Sequence, residues 1–365
     1  MILFNDFQRE PEALIQAQLR AAESVFRSGW WILGQHVKAF EMAWAHYCGT
    51  SMAVGMANGL DSIEIGLRAL GIGSGDEVIT TALTAYATIL GIQRSGATPV
   101  FADIDRDTAC LDPDSVERCI SPATRAILVV HLYGRAANLT ELQRICCQQN
   151  LLLLEDCAQA HGALHAGRSV GSFGSFGAWS FYPTKNLGTI GDAGALTSSD
   201  EGLVTMSRSL RNYGQSDRYH HETQGLNSRL DELQAALLLE RLPYLSGWIE
   251  HRRTIAQRYW EEITNPLLQL LAPPSDPREH VHHLFVILTP QRERFQAYLK
   301  CQRISSLIHY PVPCNQQKAI SRHRLDPLGL VSTYHHSANC VSLPIHPFLD
   351  EEEVNRLINV CNNYS

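Results

Sequence analysis

The sequence predicts an α/β protein, a mostly parallel sheet covered by helices and followed by a smaller α+β domain. Three observations carry that prediction. Between Ala53 and about Thr197, short apolar runs alternate with helical stretches, the pattern of strands layered under helices. Within it, a strand at Arg125–Leu132, a helix at Leu139–Gln149 and a strand at Leu151–Glu155 form a βαβ unit, whose crossover is right-handed almost without exception. The chain has 365 residues, and at roughly 150 residues per domain that length makes about two domains. The expected division is a large domain over 1–245, with an N-terminal arm, and a small domain over 246–365.

The elements follow in chain order. Asp61–Leu70 reads as a helix. Gly71-x-Gly73-x-Gly75 follows that helix and precedes a strand, the reverse of a dinucleotide fingerprint, so it is a helix stop and a turn. Strands come next at Glu77–Thr80 and Thr98–Asp103. Past the βαβ unit, a glycine-rich segment holds two short strands, Trp179–Phe181 and Ala195–Thr197, which bracket a loop carrying Lys185. Ser228-x-x-Asp231 reads as a capping box for the apolar helix Leu230–Leu239, which Pro243 breaks or kinks. A connecting helix spans Ile249–Ile263. The small domain reads as a strand at Leu284–Leu288, a helix opened by Thr289-Pro290, a strand near Leu307–Tyr310 and a terminal helix over Glu352–Cys361.

Composition excludes several classes of function. Hydrophobic residues make up 45% and charged residues 18%, which is neither a disordered chain nor a coiled coil. The net charge is −7, from 30 Lys+Arg and 37 Asp+Glu, with no basic block, so no nucleic-acid partner is expected. The longest apolar runs, Ala126–Val130 and Leu151–Leu154, are strand-sized, and no membrane span is expected. Met1–Asp6 has neither the basic region nor the apolar core of a signal peptide, so the expected location is cytoplasmic. None of the ten cysteines stands in a Cys-x-x-Cys pair, which predicts reduced, mostly buried thiols. His280, His282 and His283 straddle a loop and a strand start without a carboxylate pair, so structural or exposed roles are expected and no metal site. Trp30 and Trp31 read as core residues.

Two positions carry chemistry. Asp156 follows the apolar strand Leu151–Glu155, at the carboxyl end where open α/β sheets bind ligands. Lys185 lies in a tight loop of apolar and small residues, where loss of water lowers an amine's pKa and makes it a usable nucleophile. A lysine and a strand-end carboxylate are what pyridoxal phosphate requires: one forms the Schiff base, the other keeps the pyridine nitrogen protonated. Asn58-Gly59-Leu60-Asp61-Ser62 offers a helix start for its phosphate. On spacing alone, the alternative is that Asp156 caps a turn and Lys185 is an ordinary loop lysine.

Three ordered segments resemble one family. They are Glu155-Asp156-Cys157-Ala158-Gln159-Ala160-His161-Gly162-Ala163, Ser180-Phe181-Tyr182-Pro183-Thr184-Lys185-Asn186-Leu187-Gly188, and Gly225-Leu226-Asn227-Ser228-Arg229-Leu230-Asp231-Glu232-Leu233-Gln234-Ala235-Ala236. They are similar to the DegT/DnrJ/EryC1/StrS sugar aminotransferases, and the likeness runs from Ser28–Gly34 to Ser342–Pro347. The resemblance implies the aspartate aminotransferase-like fold (pyridoxal-phosphate fold type I) and the cofactor pyridoxal 5′-phosphate. It makes Lys185 the Schiff-base lysine, Asp156 the partner of the pyridine nitrogen, and Gln159 the neighbour of the ring's phenolic oxygen. The resemblance also implies that Ser180 and the turn Gly59, Leu60 and Asp61 bind the phosphate. Asn227 matches a phosphate ligand given by the neighbouring subunit, which implies a homodimer with shared active sites. Trp31, His161, Arg229, His309 and Tyr310 fall in segments that line the substrate site, His161 with either an acid–base or a supporting hydrogen-bonding role.

Two departures stand out. Leu60 replaces a usual Ser or Thr, which leaves backbone donors for the phosphate. Ala85 stands where an aromatic residue often stacks on the pyridine ring, with Tyr86 next to it. Strand alternation would turn Tyr86 to the other face, so three options stay open: the loop departs from strand geometry, stacking is weak, or Tyr86 meets substrate.

The implied reaction moves the amino group of L-glutamate to a keto group of a nucleotide-linked deoxysugar. The segments Gly29–Gly34 and Ala57–Asp61 resemble those of members acting at sugar C3, which implies a dTDP-3-keto-6-deoxyhexose. A 4-keto nucleotide sugar and a cyclitol ketone are the alternative acceptors. Relatives that dehydrate at C3 carry histidine at the lysine position, and Lys185 speaks against that chemistry. A non-catalytic regulatory relative is the remaining alternative.

Overall fold

The computed structural model describes residues 1–320 and 322–365. The first strands are β1 (Met52–Met56), β2 (Glu77–Thr81), β3 (Thr98–Ala102), β4 (Thr124–Val130) and β5 (Leu152–Asp156). A small hairpin of β6 (Leu164–His165) and β7 (Arg168–Ser169) precedes β8 (Gly177–Ser180) and β9 (Gly194–Ser198). A second hairpin pairs β10 (Gln215–Asp217) with β11 (His220–His221). The C-terminal part adds β12 (Gln269–Leu270), β13 (Phe285–Leu288), β14 (Arg324–Leu325) and β15 (Cys340–Leu343).

An eight-stranded sheet runs in the order β1-β9-β8-β5-β4-β2-β3-β14. Only β9 lies antiparallel to its neighbours there. A three-stranded antiparallel sheet, β12-β13-β15, forms the second layer system. The edge strand β14 returns from the C-terminal part to pair with β3.

Helices α1 (Glu12–Ser28) and α2 (Gln35–Cys48) precede the sheet. Crossovers are made by α3 (Gly59–Ala69), α4 (Tyr86–Ser95), α5 (Pro113–Cys119) and α6 (Leu139–Gln149). Then come α7 (Glu201–Leu210), α8 (Glu232–Arg241) and α9 (Leu245–Glu262), and last α10 (Arg292–Cys301), α11 (Val331–Asn339) and α12 (Glu351–Asn362). Leu245, the last residue of the expected large domain, opens α9.

Covering both faces of a parallel sheet demands strands that are apolar throughout. Along β4, Ile127 and Val129 enter one core layer, while Ala126 and Leu128 enter the other. Leu153 and Leu154 split the same way on β5. A separate core, with Tyr259, Phe285, Phe295 and Leu357, joins α9 and α12 to the smaller sheet, and Ile2 reaches into it from the N-terminus. The glycine turn after α3 behaves as expected, with Gly71 at φ 71° and Gly75 at φ 95°.

Several expectations are corrected. The capping box at Ser228 does not form: Ser228 Oγ accepts from the Ala57 amide at 3.2 Å, and Asp231 stands at the N-cap without a side-chain bond. Glu232, the first residue of α8, does the capping elsewhere. Its carboxylate accepts from the amides of Gly34, His36 and Val37 at 2.8–2.9 Å, an anion at the start of α2. The segment near Leu307–Tyr310 is no strand; it makes the single bridge Leu307↔Ser342. Trp30 and Trp31 are not core residues but lie 63% and 50% exposed. The expectation of mostly buried thiols holds: of the ten cysteines, all but Cys147 and Cys301 are buried.

Candidate active site

β5 ends on Asp156 itself, one residue later than the sequence predicts, so its carboxylate is held by the sheet rather than by the turn beyond it. Oδ1 accepts from the Ala158 amide at 3.1 Å, and Oδ2 accepts from Thr88 Oγ1 at 2.7 Å. The Lys185 loop leaves the end of β8. The Lys185 amide donates to the Tyr182 carbonyl at 2.8 Å, and the Thr189 amide donates to the Phe181 carbonyl at 2.9 Å. Gly188 is required here, because a Cβ would sit 2.5 Å from the Pro183 carbonyl oxygen. Lys185 is half-buried. Loss of water lowers its amine to about 8, and the negative charge of Asp156 offsets part of that shift.

A second cluster lies where α3 begins. Gly59 is packed so closely on β8 that a Cβ would meet the Ser180 Cβ at 2.8 Å. Ser180 is half-buried, its Cβ against the first turn of the helix, and its hydroxyl accepts from the Tyr182 amide at 3.4 Å. The amides of Gly59 and Leu60 belong to that first turn, where no preceding turn supplies a carbonyl. The Asp61 amide does not share this freedom, contrary to the expectation that all three bind phosphate. It donates to Asn58 Oδ1 at 2.8 Å, and the Asp61 carboxylate turns to Arg94 at 3.3 Å.

Gln159 is more fully engaged than its sequence position suggests. Its Oε1 accepts from the Tyr133 amide at 2.7 Å, and its Nε2 donates to Tyr310 Oη at 3.0 Å. The Tyr133 hydroxyl donates in turn to the His309 carbonyl and contacts His336 Nε2 at 2.9 Å. Since that hydroxyl's one proton goes to His309, His336 is the donor to it. Gln159, Tyr133 and the His309-Tyr310 peptide therefore close a ring that ties the C-terminal segment to the end of the large sheet.

His161 is fully buried among Trp44, Trp179 and Phe181, with ring centroids 5.4–5.7 Å apart. Neither ring nitrogen has a hydrogen-bond partner among the described residues. Burial, with the Lys185 charge adding, lowers its pKa to about 3, so it is a neutral ring. His309 is lowered to about 4 by burial and by Lys185, and its Nδ1 meets Ser342 Oγ at 2.8 Å.

The structure thus brings Gly59, Leu60, Ser180, Lys185, Asp156, Gln159, His161, His309 and Tyr310 to one end of the sheet. Tyr86 opens α4, so strand alternation does not apply to it; the loop departs from strand geometry. Its ring packs with Ala82, Ile89 and Phe101, and its buried hydroxyl has no hydrogen-bond partner among the described residues. Asn227 is exposed after the β10–β11 hairpin and bridges Asn212. Arg229 donates to Asn212 Oδ1 at 3.1 Å and lies over Tyr213. Trp31 points outward against Phe26, away from the core.

Sequence reasoning misses Thr88, Tyr133 and Asn186. Asn186 Nδ2 donates to the Val281 carbonyl at 2.9 Å and pins the histidine-rich loop beside the lysine loop. In that loop His280 and His282 are buried and stacked at 3.8 Å. Only the Thr-x-x-x-Thr spacing of Thr84 and Thr88, one helical turn apart, offered a signal.

An amine of lowered pKa facing a carboxylate at the carboxyl ends of an open α/β sheet defines an enzyme of amine chemistry. Residues 12–362 match the DegT/DnrJ/EryC1/StrS aminotransferase family, and the chain belongs to it. It is 45% identical to dTDP-3-amino-3,6-dideoxy-alpha-D-galactopyranose transaminase of Aneurinibacillus thermoaerophilus, over 94% of this chain and 94% of that protein. It is 39% identical to a pleiotropic regulatory protein of Geobacillus stearothermophilus, over 95% and 94%. Among solved structures, S. venezuelae DesV in complex with a ketimine intermediate superposes with a TM-score of 0.94 at 40% identity, over 99% of this chain and 97% of that one. The protein is an aminotransferase with the aspartate aminotransferase-like fold. No helix among the described residues is long and apolar enough to cross a membrane.

Proposed function

We propose that this protein is a pyridoxal-phosphate-dependent sugar aminotransferase that moves the amino group of L-glutamate to the keto group of a nucleotide-linked deoxysugar. The observation that carries the reading is Lys185, its amine lowered to about 8, opposite Asp156 at the end of the sheet. The residues fit the cofactor: the close packing of Gly59 on Ser180 leaves two helix-start amides and a hydroxyl for a phosphate. An Ala at Gly59 would push the helix start off β8 and spoil that arrangement.

Bound pyridoxal phosphate supplies an electron sink for the carbon that gains or loses the amine. Asp156 holds a proton on the pyridine nitrogen. The Gly59 and Leu60 amides and Ser180 Oγ hold the phosphate, with Asn227 of a second subunit. One N–H of Gln159 remains for the phenolic oxygen after Tyr310 takes the other. Lys185 Nζ moves the proton at the substrate's reacting carbon; an amine near 8 keeps a usable unprotonated fraction at neutral pH. Glutamate leaves as 2-oxoglutarate, and the ketone receives the nitrogen. We assign the acceptor side to His309 and Tyr310, with Arg229 and Trp31, and neutral His161 packs behind them among Trp44, Trp179 and Phe181.

We take the acceptor to be a dTDP-3-keto-6-deoxyhexose. The name of the Aneurinibacillus relative, a 3-amino-3,6-dideoxy sugar on dTDP, supports amination at C3. The Geobacillus relative's name favours a second reading, a regulator that keeps the fold. Lys185, Asp156, Gln159 and Ser180 are all present, which supports catalysis. The working form is read as a homodimer: Leu19, Phe26, Trp30 and Ile190 are each more than half exposed, and an apolar groove of about 540 Å³ lies between α1 and α8. Sedimentation as a monomer at micromolar concentration would remove that reading.

The test is to add L-glutamate alone to protein reconstituted with pyridoxal phosphate. Bleaching of the visible band with release of 2-oxoglutarate is expected. A band that ignores glutamate would exclude that donor, and protein that binds no cofactor would favour the regulator. Lys185→Ala should lose the borohydride-reducible covalent link, and Asn227→Ala should retain less cofactor on dialysis.

A further inference from the structure

Among the described residues, the Asp156 carboxylate accepts two hydrogen bonds, and the donors differ in kind. Ala158 gives a backbone amide to Oδ1, and Thr88 gives a hydroxyl to Oδ2. Thr88 has a single hydroxyl proton and an ionised carboxylate only accepts, so that proton is committed to Asp156. The 2.9 Å contact between the hydroxyls of Thr84 and Thr88 then has one direction: Thr84 donates to Thr88. Both threonines are buried, 3% and 1% exposed, so bulk water does not compete for these bonds. Thr88 also sits in the first turn of α4, which sets the carboxylate against the positive end of that ten-residue helix.

We propose that Thr88 is a positioning residue for Asp156, and that Thr84 enforces its direction as a donor. The inference rests on the reading of Asp156 as the partner of the cofactor's pyridine nitrogen. A hydroxyl on one oxygen and an amide on the other stop the carboxylate from rotating. A carboxylate fixed in this way keeps its remaining lone pairs aimed at the pyridine N–H. Without Thr88 the carboxylate loosens, and the ring N–H loses its fixed partner.

The experiment uses full-length protein loaded with pyridoxal phosphate carrying 15N in its ring. In the parent protein the ring 15N resonance should lie at the protonated-pyridine position. Thr88→Val, close in shape but without a donor, should move it toward the unprotonated position and weaken cofactor binding about tenfold, the loss typical of one hydrogen bond to a charged group. Thr88→Ser should restore both. Thr84→Val should move the resonance the same way by a smaller amount, and it carries the test if Thr88→Val does not fold. An unmoved resonance in Thr88→Val, or a Thr88→Ser protein that resembles Thr88→Val, would overturn the role of Thr88. Parent protein that binds no cofactor would instead defeat the functional reading on which the inference stands.

Discussion

Glu155 and Asp156 are consecutive carboxylates at the end of β5, and their surroundings could hardly differ more. Alternation along the strand sends them to opposite faces. Glu155 is fully buried and accepts from four donors: the amides of Gly171, Phe173 and Gly174 at 2.7–2.8 Å, and His131 Nε2 at 3.0 Å. Among the described residues, the Asp156 carboxylate accepts from two. His131 is bound on its other side by the Ala137 amide, so although His131, Glu155 and Cys157 lie within metal-ligand reach of one another, the first two are already spent on protein donors. A saturated carboxylate organises the fold around itself. One with unused acceptor capacity, facing a lysine, is available for a ligand.

The largest effect should come from breaking the saturated member. Glu155→Gln converts one accepting oxygen into a donor that faces donors already in place. Disrupting a buried charged network of this kind costs about 3–5 kcal/mol. Chemical denaturation should show that loss, and a value within about 1 kcal/mol of the parent would refute the assignment of Glu155 as structural. Asp156→Asn should reverse the pattern. Its fold should unfold within about 1 kcal/mol of the parent, as expected of a site that keeps an accepting oxygen. Its half-reaction with L-glutamate should slow by at least about a hundredfold, the scale at which a positioned acid–base group contributes. Equal losses of stability in the two variants would erase the comparison.

The same contrast explains how much could be read in advance. The α/β alternation, the βαβ unit and the Lys185 loop are visible because local apolar period and glycine punctuation set them. Asp156, Lys185, Ser180 and Gly59 lie in ordered motifs, so their convergence was legible. Thr88, Tyr133 and Asn186 were not, because each matters through a contact with a residue 68, 26 or 95 positions away. Ser228 and Glu232 show the same limit. The pattern of a cap, Ser228-x-x-Asp231, is present, but Ser228 accepts from the Ala57 amide, Asp231 makes no cap bond, and the neighbouring Glu232 caps α2 instead. Tyr86 stays open among three options in the sequence, and the start of α4 at that residue selects the departure from strand geometry.

The smallest effect sharpens the comparison through the group that Asp156 faces. In the fold the Lys185 amine lies at about 8, against 10.5 for an unperturbed lysine. Below about 8 the amine is charged in both folded and unfolded chains, and the fold carries the full cost of holding that charge away from water. Between 8 and 10.5 the unfolded chain binds a proton that the folded chain does not, so stability rises with pH across that window. Without added cofactor, Lys185→Met should therefore melt above the parent at pH 7, and the two melting temperatures should converge as pH rises from 8 to 10.5. Packing differences between lysine and methionine do not depend on pH, so the convergence isolates the charge. Asp156 supplies the attraction that offsets part of the burial cost, so in an Asp156→Asn background the gap at pH 7 should widen. Melting curves that stay parallel across the window would mean that the amine is hydrated in the fold, and that its approach to Asp156 is not what tunes it.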